Sequence, residues 1–77
     1  METQIHTINY LNQEVQITQY LCEADEQFAS RLELIKKLEK DNVIWKDAHK
    51  ISKIFYNVKY KKSKYSPMVY NMVRKYL

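Results

Sequence analysis

Residues 8–21, INYLNQEVQITQYL, set the fold class of the N-terminal half. Ile8, Leu11 and Val15 recur at steps of three and four, the spacing of one helix face. The stripe then moves to Ile17, Leu21, Ala24, Phe28, Ile35 and Leu38, with Leu32 beside it. Its phase slips between Val15 and Ile17, and Arg31 falls where an apolar residue is expected. The periodicity therefore predicts helix over residues 8–40, as one long helix or as two. Ser30 and Glu33 match a capping box and argue for a break near Ala29. No Gly or Pro lies between Glu14 and Lys40, which argues for continuity. Residues 1–7 read as a flexible start.

The chain has no Gly and one Pro. β-Hairpin turns and Gly-rich phosphate loops need positive φ, which Gly adopts without steric cost. Composition thus joins periodicity in predicting an all-α fold, a small helical bundle in one domain spanning residues 1–77. In it the long N-terminal helix, whole or broken, packs antiparallel on a second helix, and a short C-terminal helix closes the end.

The second helix has the cleanest pattern. Ile44, Ala48, Ile51, Phe55 and Val58 follow steps of four, three, four and three, after Asn42 as a candidate N-cap. Lys46, Lys50 and Lys53 run two residues behind, about 200° round the helix at about 100° per residue. They form a basic face opposite the apolar one. Residues 59–65, KYKKSKY, form a basic hinge. Ser66-Pro67 then marks a helix start: Pro suits the first helical position, and the residue before it is driven out of the helical region. Val69, Met72, Val73, Tyr76 and Leu77 follow at helical spacing.

Charge is divided along the chain. Residues 1–42 carry eight acids and four bases; residues 43–77 carry nine bases and one acid, Asp47. Net charge speaks to partners rather than to fold. Phosphate backbones attract Lys and Arg, and unstacked bases stack on aromatic rings. Lys50, Lys53, Lys59, Tyr60, Lys61, Lys62, Lys64 and Tyr65 are therefore the candidate contacts to nucleic acid or to an acidic partner. Lysines along a helix and loop are also what an ordinary solvated face looks like. A helix-turn-helix reading of residues 47–77 is weakened by the long connection, which lacks Gly. Trp45, Met68, Tyr70 and Met72 are apolar residues beyond those the core stripe needs. Such residues are enriched where proteins bind proteins, and they equally seal small cores.

Catalytic chemistry has no visible constellation, so no catalytic residue, cofactor or metal ligand is expected. His6, His49 and Cys22 do not have zinc-site spacing. Glu23, Asp25 and Glu26 read as a solvated acidic face, and Cys22 as a small core residue. The lone Cys cannot form an internal disulfide and suits a reducing cytoplasm; no apolar run is long enough for a membrane span.

These features describe a small non-enzymatic regulator or inhibitor that docks on a larger, nucleic-acid-handling protein. Compact regulators of phages and mobile elements are an analogy of size and composition only. The alternative is direct DNA or RNA binding by the basic–aromatic half. A small domain buries little surface alone, so a homodimer forming a four-helix bundle is also in view.

Overall fold

The computed structural model describes residues 3–77. Its N-terminal half follows a period of two, not the helical period. β1 (Gln4–Tyr10) and β2 (Gln13–Gln19) form an antiparallel hairpin, and three helices follow. The fold is α+β, which overturns the all-α expectation. Val15 and Ile17 stand two residues apart, the period of a strand, where the helical phase slips, and the pairings His6 with Ile17 and Ile8 with Val15 put Ile8, Val15 and Ile17 on one sheet face. The β-branched and aromatic residues of these segments also suit strands. The missing Gly misled because other residues supply the positive φ. Leu11 (φ 49°) and Asn12 (φ 63°) form the two-residue turn, in the conformation of a type I′ hairpin. Asn tolerates this region well. Leu11 is held there from outside: its N–H donates to Glu39 Oε2 at 2.6 Å, and its side chain packs on the core. Residues 4–7, read as flexible, lie within β1.

The helix read over residues 8–40 is confined to α1 (Asp25–Lys40). Ser30 lies inside it, so the capping box at Ser30 and Glu33 marks no break. The helix instead starts after Ala24, whose N–H donates to Gln27 Oε1 at 2.9 Å, with Asp25 and Glu26 at the positive end of the helix dipole. Asn42 closes α1 rather than capping the next helix. Its φ of 61° lets its N–H reach Glu39 C=O (2.9 Å) while Val43 N–H reaches Leu38 C=O (3.0 Å), a Schellman closure without Gly. α2 (Trp45–Tyr60) runs back along α1, bringing its late residue Tyr56 to Arg31 near the start of α1. α3 (Pro67–Arg74) begins where Ser66-Pro67 indicated, and Ser66 Oγ accepts from Val69 N–H at 3.4 Å.

The core gathers Tyr10 and Ile17 from the sheet, Phe28, Leu34, Ile35 and Leu38 from α1, Ala48, Ile54 and Phe55 from α2, and Val73 from α3. Leu21 and Ile44, placed on the inward stripes by spacing, are exposed. Leu21 falls in the turn between β2 and α1, and Ile44 is the N-cap of α2, so neither obeys a helix face.

Arg31 is buried at the stripe position it was thought to interrupt. Its Nε and Nη2 donate to the two carboxylate oxygens of Glu23 at 2.7 and 3.1 Å, and Nη2 also reaches Thr18 C=O. Tyr20 N–H donates to the same carboxylate at 3.1 Å. The guanidinium lies over the rings of Tyr20 (4.6 Å) and Phe28 (5.4 Å). Gln19 extends the network, donating to Asp25 at 2.9 Å and meeting the His6 ring at 3.0 Å. Glu23 is thus a buried partner rather than part of a solvated acidic face. Removing one member of such a pair costs about 3–5 kcal/mol, because the other is left charged and buried.

Candidate interaction surface

The candidate residues fall on three elements. Lys50 and Lys53 are exposed on α2, on the face that also holds Lys46. By helical spacing Asn57 continues that face one turn further. Its Nδ2 donates to the Tyr65 hydroxyl at 2.9 Å, which lays the linker at the end of the lysine row. Lys59 closes α2, its Nζ lying 5.2 Å from the Phe55 ring centre and 5.5 Å from that of Tyr60. Lys62, at φ 58°, turns the chain out of the helix, and Ser63 N–H returns to Asn57 C=O at 3.0 Å. Lys61, Lys62 and Lys64 are all exposed. Among the described residues the one ion pair is Arg31–Glu23, so the acidic half neutralises none of these lysines through a salt bridge.

The aromatic members behave differently from one another. Tyr60 is half-buried against Phe55 and Tyr56, with ring centres 6.5 and 5.7 Å away, so much of its surface serves the core. Tyr56, on the same helix, is fully buried. Tyr65 remains exposed. Trp45 is half-buried, packed on Tyr10 (5.1 Å) and His49 (5.6 Å), and so helps close the hairpin onto α2. Tyr10 fixes the same corner through its hydroxyl, which donates to Val43 C=O at 2.5 Å.

Met68, Tyr70 and Met72 lie on α3. The helix turns Val69 and Val73 inward, with Tyr76 just beyond its end, and leaves Met68 81% exposed. Met72 shares the Met68 side one turn later, and Tyr70 lies on the other flank, also exposed. Arg74 and Lys75 follow on the same segment, also exposed. The C-terminal segment therefore exposes apolar side chains on two flanks of α3 and basic residues at its end. Its assembly needed no signal beyond the helical spacing already visible after Pro67; which flank stays open was not legible.

Cys22, expected in the core, is exposed. Its Sγ lies 3.5 Å from the Tyr56 hydroxyl. That hydrogen bond pulls the thiol below its usual pKa, with the nearby Lys61 charge acting the same way. Burial, with the Cys22 contact second, pushes Tyr56 up to about 12. No histidine stands beside the thiol to act as base. Two clefts on the surface are small. One of about 180 Å³ is lined by Gln4, Gln19, Tyr20, Leu21, Glu23 and Asp25, and one of about 100 Å³ lies between α1, α2 and Tyr76. Both fall below the roughly 300–1,000 Å³ of ordinary small-molecule sites. Among the described residues no group of three or more His, Cys, Asp or Glu side chains is placed to hold a metal, and no helix is long and apolar enough to cross a membrane. The chain matches no family model, no curated protein and no solved structure.

Proposed function

We propose that the protein is a non-enzymatic interaction module that docks on a larger, nucleic-acid-handling protein and modulates it, as a regulator or inhibitor. The observation that carries this reading is α3: Met68 and Met72 stand exposed on one side of a helix anchored by Val73, in a segment that follows the exposed Lys61, Lys62 and Lys64 and ends in the exposed Arg74 and Lys75. Methionine is adaptable and polarizable, and suits a pocket on a partner. Flanking bases suit an acidic rim and speed encounter. On such a partner the basic half would imitate or compete with nucleic-acid-binding proteins for an acidic surface. Trp45, packed on Tyr10 and His49, contributes at its exposed edge only.

The test is a cross-linking pull-down after nuclease treatment, with Met68→Glu/Met72→Glu compared with Lys61→Glu/Lys62→Glu/Lys64→Glu. The methionine variant should lose the captured protein, and the lysine variant should retain a weakened, salt-sensitive complex. Full capture by the methionine variant would remove α3 from the interface.

A second reading, direct DNA or RNA binding, is favoured by the continuity of Lys46, Lys50, Lys53, Asn57 and Tyr65 along α2 and the linker. It predicts oligonucleotide affinity that falls steeply with salt. Absence of binding at low salt would exclude it.

A further inference from the structure

The two edges of the sheet are not equivalent. In a hairpin closed by a two-residue turn, the flanking pair Tyr10 and Gln13 is hydrogen-bonded, and the bonding then alternates along the ladder. Tyr10, Ile8, His6 and Gln4 therefore bond to β2, while Asn9, Thr7 and Ile5 turn their N–H and C=O groups away from it. The equivalent outward positions of β2 include Thr18, whose C=O is taken by Arg31. Among the described residues no such cover reaches β1: Ile5, Thr7 and Asn9 receive no backbone or side-chain bond from α1, α2 or α3. All three are exposed, Ile5 by 64%.

Edge strands are usually protected by lysine, proline, a bulge or a covering element. β1, QIHTINY, has none of these: it carries no Lys, Asp, Glu, Arg or Pro, and its pairing with β2 is continuous. A hairpin of two strands is also marginal by itself. In a chain of net charge +4, this uncharged strand is where another copy can approach without like charges meeting in the ladder.

The geometry points to the β1 edge as a homodimer interface, in which two copies join antiparallel about Thr7 into one four-stranded sheet. In that register Thr7 faces Thr7, and Ile5 of each copy faces Asn9 of the other. All the outward groups of the three residues then pair, because Ile5, Thr7 and Asn9 share one parity. His6 of each copy faces Ile8 of the other on the inner side, where both are half-buried and retain surface to cover. A two-fold axis perpendicular to the sheet keeps the helices of both copies on the same face. This interface differs from a four-helix bundle, and it leaves α3 free for the surface proposed above.

Sedimentation of the full chain tests the mass, and concentration-dependent amide exchange tests the place. A dimer should sediment at twice 9.4 kDa. Raising salt should tighten it, since screening weakens repulsion between two cationic copies, whereas docking of the basic surface should weaken. At high concentration the amides of Ile5, Thr7 and Asn9 should be protected, and dilution should release them while those of Ile8 and Tyr10 stay protected by β2. Thr7→Pro removes an outward N–H that the hairpin does not use, and Thr7→Lys sets two charges face to face; each should give a monomer with unchanged circular dichroism. A wild-type monomer at high concentration, or a dimer whose Ile5, Thr7 and Asn9 amides exchange freely, would overturn the inference. Because the exchange readout uses the unaltered chain, it decides even where a variant misfolds.

Discussion

The two ends of this molecule place their polar and apolar groups in opposite ways. At the hairpin end, charged and polar side chains are buried and bonded: Arg31, Glu23 and Gln19 lie inside, held by Thr18 and Tyr20 of the chain nearby. At the α3 end, apolar side chains stand outside on a segment that carries exposed bases, and within the helix only Val73 is fully buried. The difference teaches where each part draws its order. The hairpin end is fixed by directional bonds that tolerate few alternatives, while α3 is fixed by one apolar anchor and leaves its flanks for other contacts.

The sharpest way to break this comparison is Arg31→Met. It leaves Glu23 buried without its partner, and should destabilise the fold by about 3–5 kcal/mol in urea unfolding. The double change Arg31→Met with Glu23→Leu should recover much of that loss, since buried pairs are often replaced by apolar groups at little cost. A single variant that unfolds like wild type would make the buried pair incidental.

The alkaline limb of stability comes next. Burial raises the hydroxyls of Tyr56, to about 12, and of Tyr10. Between the ordinary tyrosine pKa of about 10 and these raised values, the unfolded chain loses protons that the folded chain keeps. Folding stability should therefore be intact below about pH 10 and fall as pH rises through that window. Tyr56→Phe should flatten the fall. An unchanged slope would assign it to other groups.

Val73→Ala should cost about 2 kcal/mol, through lost burial and a residual cavity. Its effect should be local: amide exchange should rise in α3 while β2 and α1 keep their protection. A uniform rise across the chain would show that α3 is as integral as the hairpin. The smallest change concerns the turn. Asn12→Ala should cost about 1 kcal/mol, since Ala lacks Asn's tolerance of the left-handed region, and Asn12→Gly should match or exceed wild type.

Much of the helical part was legible. The α2 stripe, the Ser66-Pro67 start and the inward residues of α3 each follow from local rules, because cap chemistry and spacing act within a few residues. The hairpin was not legible, although its residues alternate. Ile8, Leu11 and Val15 fall at helical steps although the turn at Leu11 and Asn12 divides Ile8 from Val15, and the absence of Gly was given more weight than Asn12 warranted. Of the candidate surface, the exposure of the linker lysines was readable, while the choice of packing over exposure for Trp45 was not, since it depends on Tyr10 arriving from the hairpin.

By itself the sequence determined the divided charge and the two C-terminal helices, because these depend on composition and on neighbours three or four residues away. The tertiary structure decided the rest. It chose strand over helix for residues 4–19 by supplying a helix to cover one sheet face and Glu39 to hold the turn. It also decided that Glu23 is buried and Cys22 exposed, because a partner eight residues away in sequence, Arg31, lies inside the fold beside one and not the other.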